Sequence, residues 1–250
     1  MPLFGPLHVS LLVAIAAIAA GLPYVCRQGW LPMRGARLAI GWALAANEIV
    51  WWIYRYSREG IHAANLPLQL CDLTVWLAVL GCLTVAPVIV EFAWFAGIGG
   101  AGMALLTPNL WSRWPNYQAV YFFVAHGGIV IAVALLAFGG HARFRPGAVW
   151  RAFGLLLGYT ALVGAFNAVF GANYMFLCRK PANPSLLDQL GPWPWYIASG
   201  AGASLACFWL LWLPVRYLGE RQQFYTADVQ RHASSVQSNH CLQSRADGYH

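Results

Sequence analysis

The chain has 250 residues, of which 60% are apolar or aromatic and only 9% are charged, against roughly a quarter charged in a water-soluble domain; that composition excludes a solvated globular surface. The net charge of +7 comes from basic residues scattered singly along short connections, which excludes the dense basic patch of a nucleic-acid-binding protein. Six cysteines show no CxxC pair and no Cys/His zinc spacing, so neither a metal nor any other cofactor is expected.

Unpaired backbone groups are costly in hydrocarbon, so each apolar run near 20 residues is expected to be a helix. The first, at 7–26, lacks a preceding basic segment and a small-residue cleavage site, and reads as a span rather than a signal peptide. The second, at 38–55, carries Asn47 followed by Glu48. The third, at 66–86, opens with Gln69, Cys71 and Asp72, and only Pro87 separates it from the fourth, at 87–106, which holds Glu91. A loop with Thr107, Pro108 and Asn109 leads to the fifth, at 117–138, with His126 inside it. The sixth, at 149–170, has Asn167 near its end. Residues 173–196 are too polar and proline-rich to span, yet too aromatic for a solvated loop, and are expected to fold back as a lid with Trp rings at headgroup depth. Within it, Arg179 and Lys180 either meet a lipid phosphate or anchor the loop in the headgroups. The seventh run lies at 195–218, and from Gly219 the chain turns polar without a helical apolar period. The expected architecture is all-α: a polytopic membrane protein of about seven helices in one bundle over 1–218, followed by a disordered cytoplasmic tail over 219–250.

Lys and Arg in short loops set orientation. Arg27, Arg34, Arg37, Arg143, Arg145, Arg151, Arg216 and Arg221 fall on one side, against Arg55, Arg58, Arg113, Arg179 and Lys180 on the other. The bias predicts a multi-pass protein of the cell membrane with its N-terminus outside and its C-terminus in the cytoplasm. No matched pair of broken hydrophobic segments marks a transporter-type repeat.

Ionisable groups inside a membrane need a partner or a purpose. In this topology Asp72 and His126 lie roughly 9 and 13 Å from the outer ends of their helices at ~1.5 Å per residue. Glu48 and Asn167 approach the same level, and Glu91 alone lies near the cytoplasmic end. One account is a polar cavity opening to the outer face; the other is interhelical hydrogen-bond glue. Cys71 and His126 form the sharpest pair, since a thiol needs a neighbouring base to act as a nucleophile. Successive helical residues point about 100° apart, so Glu48 is a better candidate than Asp72 to orient the ring. A disulfide between Cys71 and Cys178 is an alternative that would exclude the nucleophile role.

LPLQLCDL at 66–73, LLTPNL at 105–110, AHG at 125–127, NYMFLCRKP from Asn173 and SLLDQLGPWPWY ending at Tyr196 together resemble the YwaF family of bacterial integral membrane proteins, from about Asn47 to Pro214. Animal TMEM-type relatives in the same superfamily are lipid acyltransferases that use a membrane-embedded Cys and His, and related membrane hydrolases cleave fatty-acid esters. The resemblance implies acyl chemistry on a membrane lipid, with His126 as the matching base and Cys71 as the nucleophile. Glu48, Gln69, Asp72, Asn109, Asn167, Asn173, Tyr174 and Lys180 are candidates for orienting these groups or binding substrate. In particular, Asn173, Tyr174 or Gln69 are candidate oxyanion donors, and Lys180 a candidate phosphate ligand. The competing expectations are a non-catalytic protein that binds or moves a small polar solute or lipid, and a structural subunit.

Overall fold

The computed structural model describes residues 3–108, 115–140, 143–181 and 186–217. Among them are seven α-helices and no strand: α1 Pro6–Arg27, α2 Met33–Glu59, α3 Leu70–Thr84, α4 Pro87–Leu106, α5 Tyr117–Phe138, α6 Ala148–Phe170 and α7 Trp195–Tyr217. Short 3₁₀ turns lie at Ala63–Asn65, Tyr174–Phe176 and Leu186–Leu190. Five helices, α1, α4, α5, α6 and α7, are long and apolar enough to cross a membrane, which makes this a multi-pass membrane protein. α2 has 27 residues but carries charge along its length. α3 has 15, about 22 Å at 1.5 Å per residue and short of a hydrocarbon core near 30 Å.

The elements largely follow the apolar runs. α2 extends past its expected limits at both ends, through turns that carry Arg34 and Arg37 before it and Arg58 after it. α3 starts later than expected because Pro67 holds Leu66 extended, at φ −75° and ψ 160°. It stops at Thr84, where Val85 turns left-handed at φ 55° and Ala86 is extended ahead of Pro87, the first residue of α4. α5 opens with Asn116, whose side chain accepts the Ala119 N–H at 2.8 Å.

α4 and α5 are central, with 56% and 61% of their apolar windows buried, whereas α1, α6 and α7 bury 11%, 17% and 11% and face outward. The main core joins Leu44 of α2, Val75 and Val79 of α3, Phe95 of α4 and Ile129, Val133 and Leu136 of α5. Close approach depends on small residues, as between helices in a membrane. A Cβ at Gly41 would stand 2.9 Å from that of Cys82, and one at Gly127 would stand 2.8 Å from Ile15 Cδ1. α7 docks on α4 through Phe208 against Phe95, ring centroids 5.2 Å apart, and through Trp94 Nε1, which donates to the Leu211 carbonyl.

One end of the bundle is tied by arginines. Arg37 of α2 donates to the Cys82 and Leu83 carbonyls, satisfying acceptors that the last turn of α3 leaves open. Glu91, 2% exposed, takes the Arg145 guanidinium at 3.0 Å and that of Arg151 at 2.9 Å, together with the Arg145 backbone N–H. This carboxylate therefore fastens the α5–α6 connection to the start of α4. The expected tail, 219–250, lies outside the described residues.

Candidate functional site

The opposite end holds the other buried polar groups. Glu48 is fully buried on α2, and both its oxygens are occupied. Trp52 Nε1, one turn on, donates to Oε1 at 2.6 Å, and the Tyr121 hydroxyl of α5 donates to Oε2 at 2.8 Å. Tyr121 is fixed in turn by stacking on Trp51, centroids 4.2 Å apart. Cys71 and Asp72, in the first turn of α3, lie within electrostatic range of Glu48 and Tyr121. Asp72 Oδ2 accepts the Gln69 N–H at 3.0 Å, one half of a capping box. The Cys71 thiol takes part in none of these bonds, and both Cys71 and Cys178 are free thiols rather than a bridge.

A roof covers this cluster. Asn167 of α6 donates from Nδ2 to the Tyr174 carbonyl at 3.0 Å and accepts the Tyr174 N–H at 2.9 Å. The Tyr174 hydroxyl donates to the Ala63 carbonyl at 2.8 Å and accepts the Leu66 N–H at 2.6 Å. Gln69 Oε1 accepts the Met175 N–H, and the Tyr159 hydroxyl of α6 donates to the Leu68 carbonyl. The segments 63–69 and 174–176 are thereby locked to each other and to α6 directly above the start of α3. Burial pushes the Tyr174 phenol up from its ordinary value, so it remains a donor at neutral pH. Further out, Trp193 Nε1 donates to the Leu177 carbonyl and the Tyr196 hydroxyl to that of Phe176, folding 193–196 onto the same end.

Several of the residues proposed as substrate contacts are thus occupied by backbone. Gln69, Asn167 and Tyr174 hold the roof. Asn173 closes its own loop, accepting from Cys178 and Arg179 N–H and donating to the Arg179 carbonyl. Lys180 lies 3.9 Å from Asp188 and 5.3 Å from the centre of the Tyr196 ring. Asn109 is outside the described residues.

His126, 9% exposed on α5, is held through Nδ1 by the Phe122 carbonyl at 2.8 Å and rests against the Phe122 ring. A carbonyl only accepts, so Nδ1 carries the proton and Nε2 of the neutral ring keeps its lone pair. The expected role of Glu48 as orienter of His126 is replaced by this backbone contact. Tyr121 and His126 are five residues apart, about 140° around the helix and ~7.5 Å along it, so the side of α5 that meets Glu48 is not the side that carries the imidazole. Among the described residues no hydrogen bond joins His126 to Cys71.

The sequence reading missed Trp52, Tyr121 and Tyr159. Trp52 was legible as an indole donor four residues after a buried acid. Tyr121 and Tyr159 carry no such local signal, because their partners come from other helices.

Residues 3–212 match the model of the TMEM164 family, and the chain belongs to that family. No curated protein and no solved structure matches it.

Proposed function

We propose that this member of the TMEM164 family transfers or hydrolyses the acyl group of a membrane lipid, with the Cys71 thiol as acyl carrier and Nε2 of His126 as the base. The observation that carries the reading is the His126 tautomer: the bond from Nδ1 to the Phe122 carbonyl leaves Nε2 as the proton acceptor that thiol activation requires. Two features support it. Among the described residues the Cys71 thiol has no competing hydrogen bond, and the YwaF-like motifs imply a membrane Cys/His pair.

The first step requires a movement that brings His126 Nε2, which lies on another side of α5 from Tyr121, to the Cys71 sulfur; the sulfur then adds to the ester carbonyl as the thiol proton moves to Nε2. As the carbon–oxygen bond breaks, that proton passes to the departing lysolipid oxygen. Water or a second lipid hydroxyl then attacks the thioester, and its proton returns to the sulfur. With Gln69, Asn173 and Tyr174 engaged elsewhere, the backbone N–H groups of Leu70 and Cys71 are the better oxyanion donors, since the first turn of a helix lacks intrahelical acceptors for them.

The proposal includes seven crossings, α2 and α3 among them, and an N-terminus outside the cell. It is supported by the arginine bias and by α3 and α5 running in the same direction, since Cys71 and Tyr121, within electrostatic range of each other, both lie near the starts of their helices.

The test is incubation of the purified protein with an alkyne-tagged acyl phospholipid. A hydroxylamine-labile acyl group should appear on Cys71, vanish in Cys71→Ala, and form about 10²–10⁴-fold more slowly in His126→Ala. Equal labelling of all three proteins would eliminate the mechanism. A non-catalytic lipid- or solute-binding protein is the second reading, favoured by the full occupation of Glu48 by Trp52 and Tyr121. It predicts reversible lipid retention with no adduct.

A further inference from the structure

At the end of the bundle away from Cys71, a lateral groove of about 690 Å³ runs between α1, α4 and α5. Its α1 wall is made of small residues at helical spacing, Ala16, Ala20 and Pro23, and its far wall is Trp94, Ile98 and Phe138. The groove exists because α1 is held elsewhere. Ile15 presses on Gly127, and Cys26 and Leu22 pack against Leu135 and Ala36, so the alanine face is left without a partner of its own.

Only one end of the groove is polar, where Tyr24, Arg27 and Gln28 line it. Tyr24 meets Trp30 edge to face, centroids 6.4 Å apart, and Trp30 is 73% exposed. Such a pair marks headgroup depth. Among the described residues Arg27 enters no ion pair. From Ala16 to Gln28 the helix rises about 18 Å, close to the ~15 Å half-thickness of a hydrocarbon core. The groove thus reaches from midplane to interface within one leaflet.

We infer that this groove is a resident site for one anionic phospholipid, its acyl chain along the Ala16–Ala20 face and its phosphate on Arg27. Among the described residues no carboxylate lines the site to oppose the charge. The inference does not rest on the acyl-transfer reading, because Tyr121, within electrostatic range of Cys71, lies about 25 Å along α5 from Phe138.

The experiment is native mass spectrometry of the full chain in detergent, titrated separately with phosphatidylglycerol and phosphatidylcholine. One phosphatidylglycerol per chain should persist under conditions that strip phosphatidylcholine. Arg27→Gln should lower that preference about fivefold, the effect of one basic residue near a lipid surface. Ala20→Phe, which fills the groove, should abolish retention of either lipid; Ala16→Leu serves the same purpose if Ala20→Phe fails to fold. Equal retention of the two lipids by the wild type, an unchanged preference in Arg27→Gln, or full binding by a folded groove-filled variant would each overturn the assignment and leave an ordinary annular contact.

Discussion

Asn167 holds both polar groups of the Tyr174 backbone, donating to its carbonyl at 3.0 Å and accepting its N–H at 2.9 Å, although the two residues flank the end of α6. The side-chain amide supplies the partner that regular secondary structure would otherwise provide. It fixes the segment that roofs the start of α3.

Replacing Asn167 with Ala would strand a buried donor and acceptor, since Asn167 is 1% exposed and Tyr174 4%. The expected loss is about 2 kcal/mol, read as a lower melting temperature in detergent. Asn167→Asp, which sets a buried carboxylate against the Tyr174 carbonyl, should lose at least as much. An unchanged melt in Asn167→Ala would show that the roof contributes nothing to stability.

The Tyr174 phenol, raised above its ordinary value by burial, must be protonated to donate to Ala63. Its folded value exceeds its unfolded value, so its contribution is fully present below the unfolded value near 10 and is lost as pH rises through the folded one. Melting temperatures of wild type and Tyr174→Phe should therefore differ most at neutral pH and converge in strong alkali. A difference that stays constant across that range would contradict the account.

Glu91 is 2% exposed, while the Arg145 and Arg151 side chains are 43% and 36% exposed. Glu91→Gln should cost on the order of 1–3 kcal/mol, below the full penalty for breaking a buried pair because the guanidinium groups can rehydrate. Arg151→Gln should cost less, since Arg145 still pairs the carboxylate. The reverse order in chemical denaturation would show that Glu91 is not the hub of this contact.

Pattern alone gave the helices. Apolar runs of bilayer length have one low-energy state in hydrocarbon, so the sequence sufficed to mark α1, α4, α5, α6 and α7, and Pro87 to part α3 from α4; the delay of α3 past Pro67 was not read from it. Several ionisable groups within the helices were legible too, because buried Glu48, Glu91 and His126 and half-buried Asp72 stand out against their apolar neighbours. Their partners were not. Glu48 meets Tyr121 across 73 residues, Glu91 meets Arg145 and Arg151 across 54 and 60, and Gln69 meets the Met175 backbone across 106.

Sequence determined which residues must enter the membrane and which of them need a polar partner, because solvation in hydrocarbon depends on composition along a single helix. Only the tertiary structure decided who those partners are. Rotation of one helix against another turns Tyr121 toward Glu48 and His126 away from it, and a periodicity of 3.6 residues fixes the faces of a helix without saying what each face meets.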